Sequence, residues 1–253
     1  MRNREKAIMY KKIIIANWKA NPGTLLEAQA LFSMEASAAE QYAGVETVIC
    51  PPFIFLEELA RITRHIDIST FSLGAQDIET PTMLKNFGVS HVLVGHSDRR
   101  YGLGETDEVV NQKLKIALEA GIIPVLLVGE KERGESRESI LAEQLEKDLA
   151  GLLAEQAAKI LFTYEPVWAI STGPGGQADT PESALEAIKF IREFLTTNYK
   201  LQTINCLYGG SVNEQNATDF LRHPEINGAV VGGASLDAVR FSKILEVVSN
   251  FQP

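Results

Sequence analysis

The sequence predicts an α/β fold in which eight strand–helix units close into a single-domain (β/α)8 barrel. Eight short apolar runs alternate with longer segments of helical period, and no linker or change of composition divides the 253 residues. This number of units in this length favours a closed barrel over residues 12–253, preceded by a disordered extension at residues 1–11. A doubly wound open sheet stays the alternative, although its usual nucleotide motifs, G-x-G-x-x-G and G-x-x-x-x-G-K, are missing.

The predicted strands are short and almost wholly apolar. A strand that is buried on both faces does not alternate apolar with polar side chains, and β-branched residues fit its surface well. In chain order the strands are predicted at residues 12–15, 47–50, 68–74, 91–94, 123–128, 160–164, 204–208 and 229–231.

The predicted helices lie between these strands, and several carry start and stop signals. Thr180 precedes a proline at the first helical position, and Gly121 follows one helical segment directly. In chain order the helices are predicted at residues 25–41, 55–62, 83–87, 107–120, 139–153, 181–196, 214–222 and 238–248.

The composition excludes several classes of partner. A net charge of -9 and a pI near 5.1 argue against a nucleic-acid or anionic-membrane surface, so an anionic small ligand needs a local site. The longest apolar run, residues 122–128, is too short to cross a bilayer, and the N-terminal stretch has no apolar signal region. Cys50 and Cys206 lie in apolar runs, which favours buried thiols over a disulfide. We therefore expect a cytoplasmic protein.

Chemically versatile side chains follow three of the predicted strands. Asn17 and Lys19 come after the first strand, His96 after the fourth and Glu165 after the sixth. Alone, each has a plainer explanation: a solvated charge, a structural histidine or a carboxylate at a helix start. Because catalytic groups of a parallel barrel come from the carboxyl ends of its strands, their joint placement predicts an active site there.

Glycine pairs follow the last two strands, at 209–210 before Ser211 and at Gly232-Gly233. They could form tight turns only. Glycines before a helix also expose N–H groups that bind phosphate, and the recurring phosphate site of this barrel uses these two loops.

The segments at these strand ends resemble the signature segments of the triosephosphate isomerase family. The resemblance runs from about Ile13 to the C-terminal helix, and the segments occur in the family's order. They read NWK at 17–19, VGHSDRR at 94–100, YEPVWAI at 164–170, LYGGSV at 207–212 and VGGASL at 231–236.

The resemblance implies interconversion of dihydroxyacetone phosphate and D-glyceraldehyde 3-phosphate, a step of glycolysis and gluconeogenesis, on a TIM barrel. It assigns Glu165 as the base beside the carbonyl and His96 as a neutral imidazole that donates to the enediolate, a role for which this family is a standard example. It assigns Lys19 as a fixed positive charge, with Asn17 nearby. Preorganised donors are needed because a proton next to a carbonyl is only weakly acidic.

The same resemblance implies that no metal or organic cofactor is needed, and the four histidines show no metal-ligand spacing. Residues 166–179 become a lid over the substrate, with Pro166 as a hinge and Trp168 as apolar cover; the family's closing loop is a standard example of such a lid. The implied phosphate donors are the backbone N–H groups of Ser171, Ser211, Gly232 and Gly233.

The chain departs from the family pattern at four places. Asp98 stands where a glutamate is usual, and Ser171 where a glycine is usual. The second lid hinge, residues 172–179, is longer and richer in glycine. Only residues 78–82, which span about 17 Å when extended, stand where the family has a long arm that enters a second subunit.

The missing arm and the intact site leave alternatives open. We expect a homodimer with a reduced interface or a monomer, and a triose phosphate as the ligand. The competing functions are a non-catalytic sugar-phosphate-binding barrel and a barrel isomerase for another phosphorylated sugar. The presence of the complete set of Asn17, Lys19, His96 and Glu165 argues against the non-catalytic barrel.

Overall fold

The eight strands form one closed barrel of parallel strands. The computed structural model describes residues 11–66, 69–170 and 178–251. Each strand pairs with its neighbours in sequence, and the last pairs with the first. The predicted single-domain (β/α)8 barrel is therefore confirmed, and the open sheet is excluded. The extension predicted at residues 1–11 lies outside the described residues, except for Lys11.

The strands lie within a few residues of their predicted bounds. The third strand was expected from residue 68, which is outside the described residues, and it begins at Phe71. The bounds are Ile13–Asn17 (β1), Glu46–Cys50 (β2), Phe71–Ala75 (β3), His91–Val94 (β4), Ile123–Val128 (β5), Leu161–Tyr164 (β6), Asn205–Tyr208 (β7) and Gly228–Val231 (β8).

Two apolar layers follow from the alternation of side chains along the strands. One set, which includes Ile15, Val48 and Leu127, forms a small cluster of its own. The neighbouring set, which includes Ile14 and Ile49, packs in a larger cluster with the helices. The first cluster fills the barrel, and the second joins the barrel to its outer ring.

Ten α-helices occur in the described part of the chain, and two short ones were not predicted. They are Leu25–Gln41 (α1), Phe53–Thr63 (α2), Pro81–Asn86 (α3), Ser97–Arg100 (α4), Asp107–Glu119 (α5), Arg137–Asp148 (α6), Ala154–Ala157 (α7), Pro181–Tyr199 (α8), Ala217–Leu221 (α9) and Ala238–Ser249 (α10). Two 3₁₀ turns add Val167–Ala169 and Gly233–Leu236.

Two predicted helices were too long. The one predicted to end at residue 153 stops at Asp148, and Gly151 then adopts a left-handed φ of 75°. The one predicted from residue 214 begins at Ala217. There the Asn213 side chain accepts hydrogen bonds from the N–H groups of Gln215 and Asn216, which makes the stretch a turn.

Closure of the barrel depends on one glycine. A Cβ atom on Gly228, at the start of β8, would lie 1.8 Å from the carbonyl oxygen of Ile13 in β1. Any side chain there would force β8 away from β1, so glycine is required where the first and last strands meet.

The two cysteines are buried and free, as predicted. Among the described residues, no helix is both long and apolar enough to cross a membrane.

Candidate active site

A cavity of about 240 Å³ opens at the carboxyl ends of the strands. The sequence predicted eight residues for this place. Ser171 lies outside the described residues. The other seven all line this cavity: Asn17, Lys19, His96, Glu165, Ser211, Gly232 and Gly233.

The loop after β1 presents Lys19 in an unusual backbone conformation. Its φ of 53° is left-handed, which is uncommon for a residue with a side chain. Oδ1 of Asn17 accepts a hydrogen bond from the Lys19 N–H at 3.1 Å. The Lys19 ammonium lies 3.1 Å from Oδ2 of Asp98. The shorter Asp98 therefore still reaches Lys19, whereas Arg100 pairs with Asp107 and Asp148.

His96 caps the short helix α4 with its own ring. Its Nδ1 accepts a hydrogen bond from the N–H of Asp98 at 3.1 Å. A ring nitrogen that accepts carries no proton, so in the neutral imidazole the hydrogen is on Nε2. Nε2 faces the cavity and lies 3.1 Å from Oε1 of Glu165. His96 can thus donate a hydrogen bond toward a ligand in the cavity.

Glu165 follows β6 and is almost completely buried, at 4% exposure. Its Oε2 accepts a hydrogen bond from the N–H of Ser97 at 2.9 Å. Burial raises the pKa of this carboxyl above its usual value; His96, the Ser97 N–H and Lys19 act in the opposite direction. The result is a carboxylate whose basicity exceeds that of an exposed glutamate, beside a histidine that donates.

The residues after Glu165 form a 3₁₀ turn that is fastened at two points. Oε1 of Glu130 accepts hydrogen bonds from Trp168 Nε1 and from the Tyr164 hydroxyl, both at 2.8 Å. The carbonyl of Ala169 accepts from the N–H of Ser211 at 3.2 Å and from its hydroxyl at 2.8 Å. Trp168 is therefore buried against Glu130. The second hinge, apart from residues 178 and 179, lies outside the described residues.

The other end of the cavity is made of backbone. Gly232 precedes and Gly233 opens a 3₁₀ turn, and the first N–H groups of a helix have no partner within it. A Cβ atom on either glycine would meet no heavy atom within 4 Å, so both face open space. Two N–H groups and an open approach suit an anion.

The arrangement is suited to one class of reaction. A buried carboxylate can remove a proton from a carbon beside a carbonyl, and a neutral imidazole with an ammonium can stabilise the oxygen that becomes negative. An anionic tail of the same ligand would reach the glycine turns. Within residues 11–66, 69–170 and 178–251, no group of three or more His, Cys, Asp or Glu side chains could hold a metal ion.

The sequence profile of one protein family, triosephosphate isomerase, matches residues 12–248. A protein of that name from Dehalococcoides mccartyi strain CBDB1 is 41% identical over 251 residues, which cover 93% of this chain and 96% of that protein. Those from Endomicrobium trichonymphae and Dictyoglomus thermophilum are each 39% identical, over 94% of this chain and 99% and 100% of their own lengths.

The chain belongs to the triosephosphate isomerase family. The resemblance predicted from the five strand-end segments is thereby confirmed. Because the profile match begins at residue 12 and ends at residue 248, it includes every strand of the barrel and each described residue of the cavity.

Two residues beside this site were not predicted from the sequence. Arg240 lines the same cavity near the glycine turns, and its Nε lies 2.8 Å from Oε2 of Glu214. Gln76 reaches the loop that carries Lys19. A signal existed for Arg240, since an acidic chain that binds an anion needs a local cation. For Gln76, nothing in its sequence neighbourhood indicated its partner.

Proposed function

We propose that this chain interconverts dihydroxyacetone phosphate and D-glyceraldehyde 3-phosphate, the reaction of its family in glycolysis and gluconeogenesis. The observation that carries the proposal is the distance of 3.1 Å between Glu165 Oε1 and His96 Nε2, inside a cavity that Lys19 also lines. A proton donor and a proton acceptor at this distance, in a largely buried site, fit proton transfer next to a carbonyl.

In the proposed reaction, Glu165 takes the proton from the carbon next to the carbonyl. The electron pair of that C–H bond moves into a carbon–carbon double bond, and the carbonyl oxygen becomes negative. His96 donates its Nε2 hydrogen bond to this oxygen and moves a proton between the two oxygens of the enediolate. Return of the proton from Glu165 to the neighbouring carbon completes the isomerisation.

Lys19 and Asn17 have supporting parts in this proposal. The ammonium of Lys19 lowers the free energy of the developing negative charge, and it is preorganised by its ion pair with Asp98. Asn17 contributes through its side-chain oxygen, which holds the backbone of Lys19.

The substrate phosphate is proposed to bind the N–H groups of Ser171, Ser211, Gly232 and Gly233. The open space at the two glycines supports this assignment. Arg240, at the same end of the cavity, adds the only guanidinium among the described residues that line it.

The test is isomerisation of D-glyceraldehyde 3-phosphate by the wild type, by Glu165→Gln and by a control, Glu155→Gln, on the exposed face of α7. Loss of a general base should lower the rate by about 10²- to 10⁴-fold, with no change in the control. A wild type that binds the substrate without turning it over would instead indicate a sugar-phosphate-binding barrel. Turnover of larger sugar phosphates in preference would indicate a different isomerase.

We further propose a homodimer with a reduced interface, or a monomer, located in the cytoplasm. Only residues 76–80 connect β3 to α3. Apolar side chains are exposed near the strand ends, among them Ile54 at 82% and Leu103 at 70%, and could form a small, flat contact. Specific activity over a thousandfold dilution, with sedimentation, tests this. A dimer that persists at nanomolar concentration and low temperature would contradict it.

The domain bounds are proposed to be residues 12–253, with residues 1–11 outside the barrel. A variant that starts at Met9 should then retain the activity and thermal midpoint of the full chain, since Met9 itself lies in the extension. A lower midpoint would show that the extension packs on the barrel.

A further inference from the structure

Gln76, at the end of β3, joins the loops that follow three neighbouring strands. Its Nε2 donates a hydrogen bond to the carbonyl oxygen of Lys19 at 2.8 Å and another to that of Cys50 at 3.0 Å. Lys19 follows β1 and Cys50 ends β2. One side-chain amide therefore uses both of its hydrogens to hold two backbone segments together.

The segment that Gln76 holds is under backbone strain. Lys19 has a left-handed φ of 53°, and such a residue persists only where its surroundings fix it. Asn17 holds the N–H of Lys19 and Gln76 holds its carbonyl. The two contacts fix both peptide planes that flank the Lys19 Cα, and with them the direction of its side chain.

Gln76 itself rests on a rigid support. The next residue, Asp77, is buried at 3% exposure and pairs with Arg99 and with Lys113, each at 2.6 Å. Arg99 belongs to α4, the helix that His96 caps. The position of Gln76 is thus tied to the same helix that orients His96.

We propose that Gln76 is a positioning residue that holds the Lys19 ammonium in register with His96 and Glu165. The inference rests on the function proposed above, because it assigns Gln76 a part in stabilising negative charge at the reacting end of the ligand. Gln76 acts through the Lys19 peptide. Only a donor can serve, since both of its partners are carbonyl oxygens.

Two phosphorylated inhibitors separate this role from a general structural one. 2-Phosphoglycolate carries a carboxylate where the enediolate charge develops, whereas glycerol 3-phosphate carries neutral hydroxyl groups there; both have the same phosphate. Gln76→Met keeps the length of the side chain and removes both donors. We expect it to weaken 2-phosphoglycolate binding by about tenfold or more and glycerol 3-phosphate binding by less than about twofold.

The matched control is Gln29→Met. Gln29, in α1, also makes a side-chain hydrogen bond through Nε2, to Glu58 of α2 at 3.1 Å, but this bond joins two helices of the outer layer. Both inhibitors should bind the control as they bind the wild type. If Gln76→Met does not fold, Gln76→Leu, which also removes both donors and adds no charge, takes its place with the same expected direction.

A double-mutant cycle tests whether Gln76 acts through Lys19. In a Lys19→Ala background, Gln76→Met should cost no further 2-phosphoglycolate affinity, because the group that it positions is gone. An equal loss in both backgrounds, or an equal loss for both inhibitors, would overturn the proposal.

The outcome is independent of turnover. If the wild type isomerises and the inhibitor ratio does not depend on Gln76, the inference fails and the proposed function stands. If the wild type does not isomerise and the ratio does depend on Gln76, the function fails and the positioning role stands.

Discussion

Nε2 of His96 lies 3.1 Å from Oε1 of Glu165, although the two residues follow β4 and β6, which are not neighbours. β5 runs between them, paired with both. Because the closed barrel is curved, the carboxyl ends of β4 and β6 turn toward one another on either side of β5. A pair that would be separated in a flat sheet is therefore brought to 3.1 Å, and on the proposed function the substrate binds against both of its members.

His96→Gln should lower kcat by about 10²- to 10³-fold with little change in KM, because it removes an oriented donor that acts on charge present only in the transition state. Steady-state kinetics in both directions measure this. The control, His65→Gln, changes an exposed histidine. A change confined to KM would assign His96 to ground-state binding and contradict the proposed role.

The rate should fall on the acid side at a pH above the ordinary pKa of a glutamate. Burial raises the pKa of Glu165, so the base takes up its proton, and stops acting, while the pH is still above about 4.3. Asp98 also raises this pKa through its negative charge. In Asp98→Asn the acid limb of kcat/KM should therefore move to lower pH.

The pH profile of that variant is compared with Asp219→Asn, at an exposed position in α9. The quantity compared is the pH at which kcat/KM falls on the acid side, and not the rate itself, since loss of the ion pair with Lys19 also changes the rate. An acid limb that stays in place or moves to higher pH would show that Asp98 does not influence the base.

Arg240→Gln should raise KM by a few-fold and leave kcat unchanged. Arg240 is 43% exposed in its side chain and already paired with Glu214, so a loss of roughly 0.2–1 kcal/mol in binding is expected. The dependence of kcat/KM on ionic strength should also become weaker. Glu214→Gln frees the guanidinium and should act in the opposite direction. Equal KM values for the wild type, Arg240→Gln and Glu214→Gln would show that the charge of Arg240 does not contribute to binding of the substrate phosphate.

Glu35→Gln should stabilise the protein at neutral and alkaline pH. Burial raises the pKa of the Glu35 carboxyl well above its usual range, and the hydrogen bond from Trp18 offsets part of this. Between about pH 4.3 and the folded pKa, the native state binds more protons than the unfolded state. The free energy of unfolding therefore falls as pH rises, by up to about 1.4 kcal/mol per pH unit.

Glutamine keeps an acceptor for Trp18 Nε1 and does not ionise, so the variant should lack this slope. Urea unfolding at pH 5, 7 and 9 measures the difference from the wild type, with Glu155→Gln as the control. Parallel curves for Glu35→Gln and the wild type would mean that Glu35 does not resist ionisation.

The parts of the fold that could be predicted are those set by neighbours in sequence. The apolar runs around Ile14 and Leu126 indicate strands, because a strand that is buried on both faces requires a short, continuous run of apolar residues. Asn17, His96 and Glu165 stand directly after such runs. In a parallel barrel the carboxyl ends of all strands lie at the same end, so the position of these residues in the sequence was enough to predict that they meet there. The errors were also local: α6 stops at Asp148, five residues before its predicted end, and the side chain of Asn213 forms a turn where a helix was expected to begin.

The remaining contacts could not be predicted because they join distant residues. Gln76 binds a carbonyl 57 residues away, and Arg240 pairs with a carboxylate 26 residues away. Each distance depends on the register of several strands and on a side-chain rotamer. No pattern within one element specifies either.

Ala169 and a substrate phosphate compete for one hydrogen. The N–H of Ser211 now donates to the Ala169 carbonyl, and it has nothing further to give to a second acceptor. On the function proposed here, a phosphate that arrives at Ser211 displaces Ala169, and with it the 3₁₀ turn that begins two residues after Glu165. Binding of the phosphate at one end of the ligand is thereby coupled to the segment beside the base at the other end.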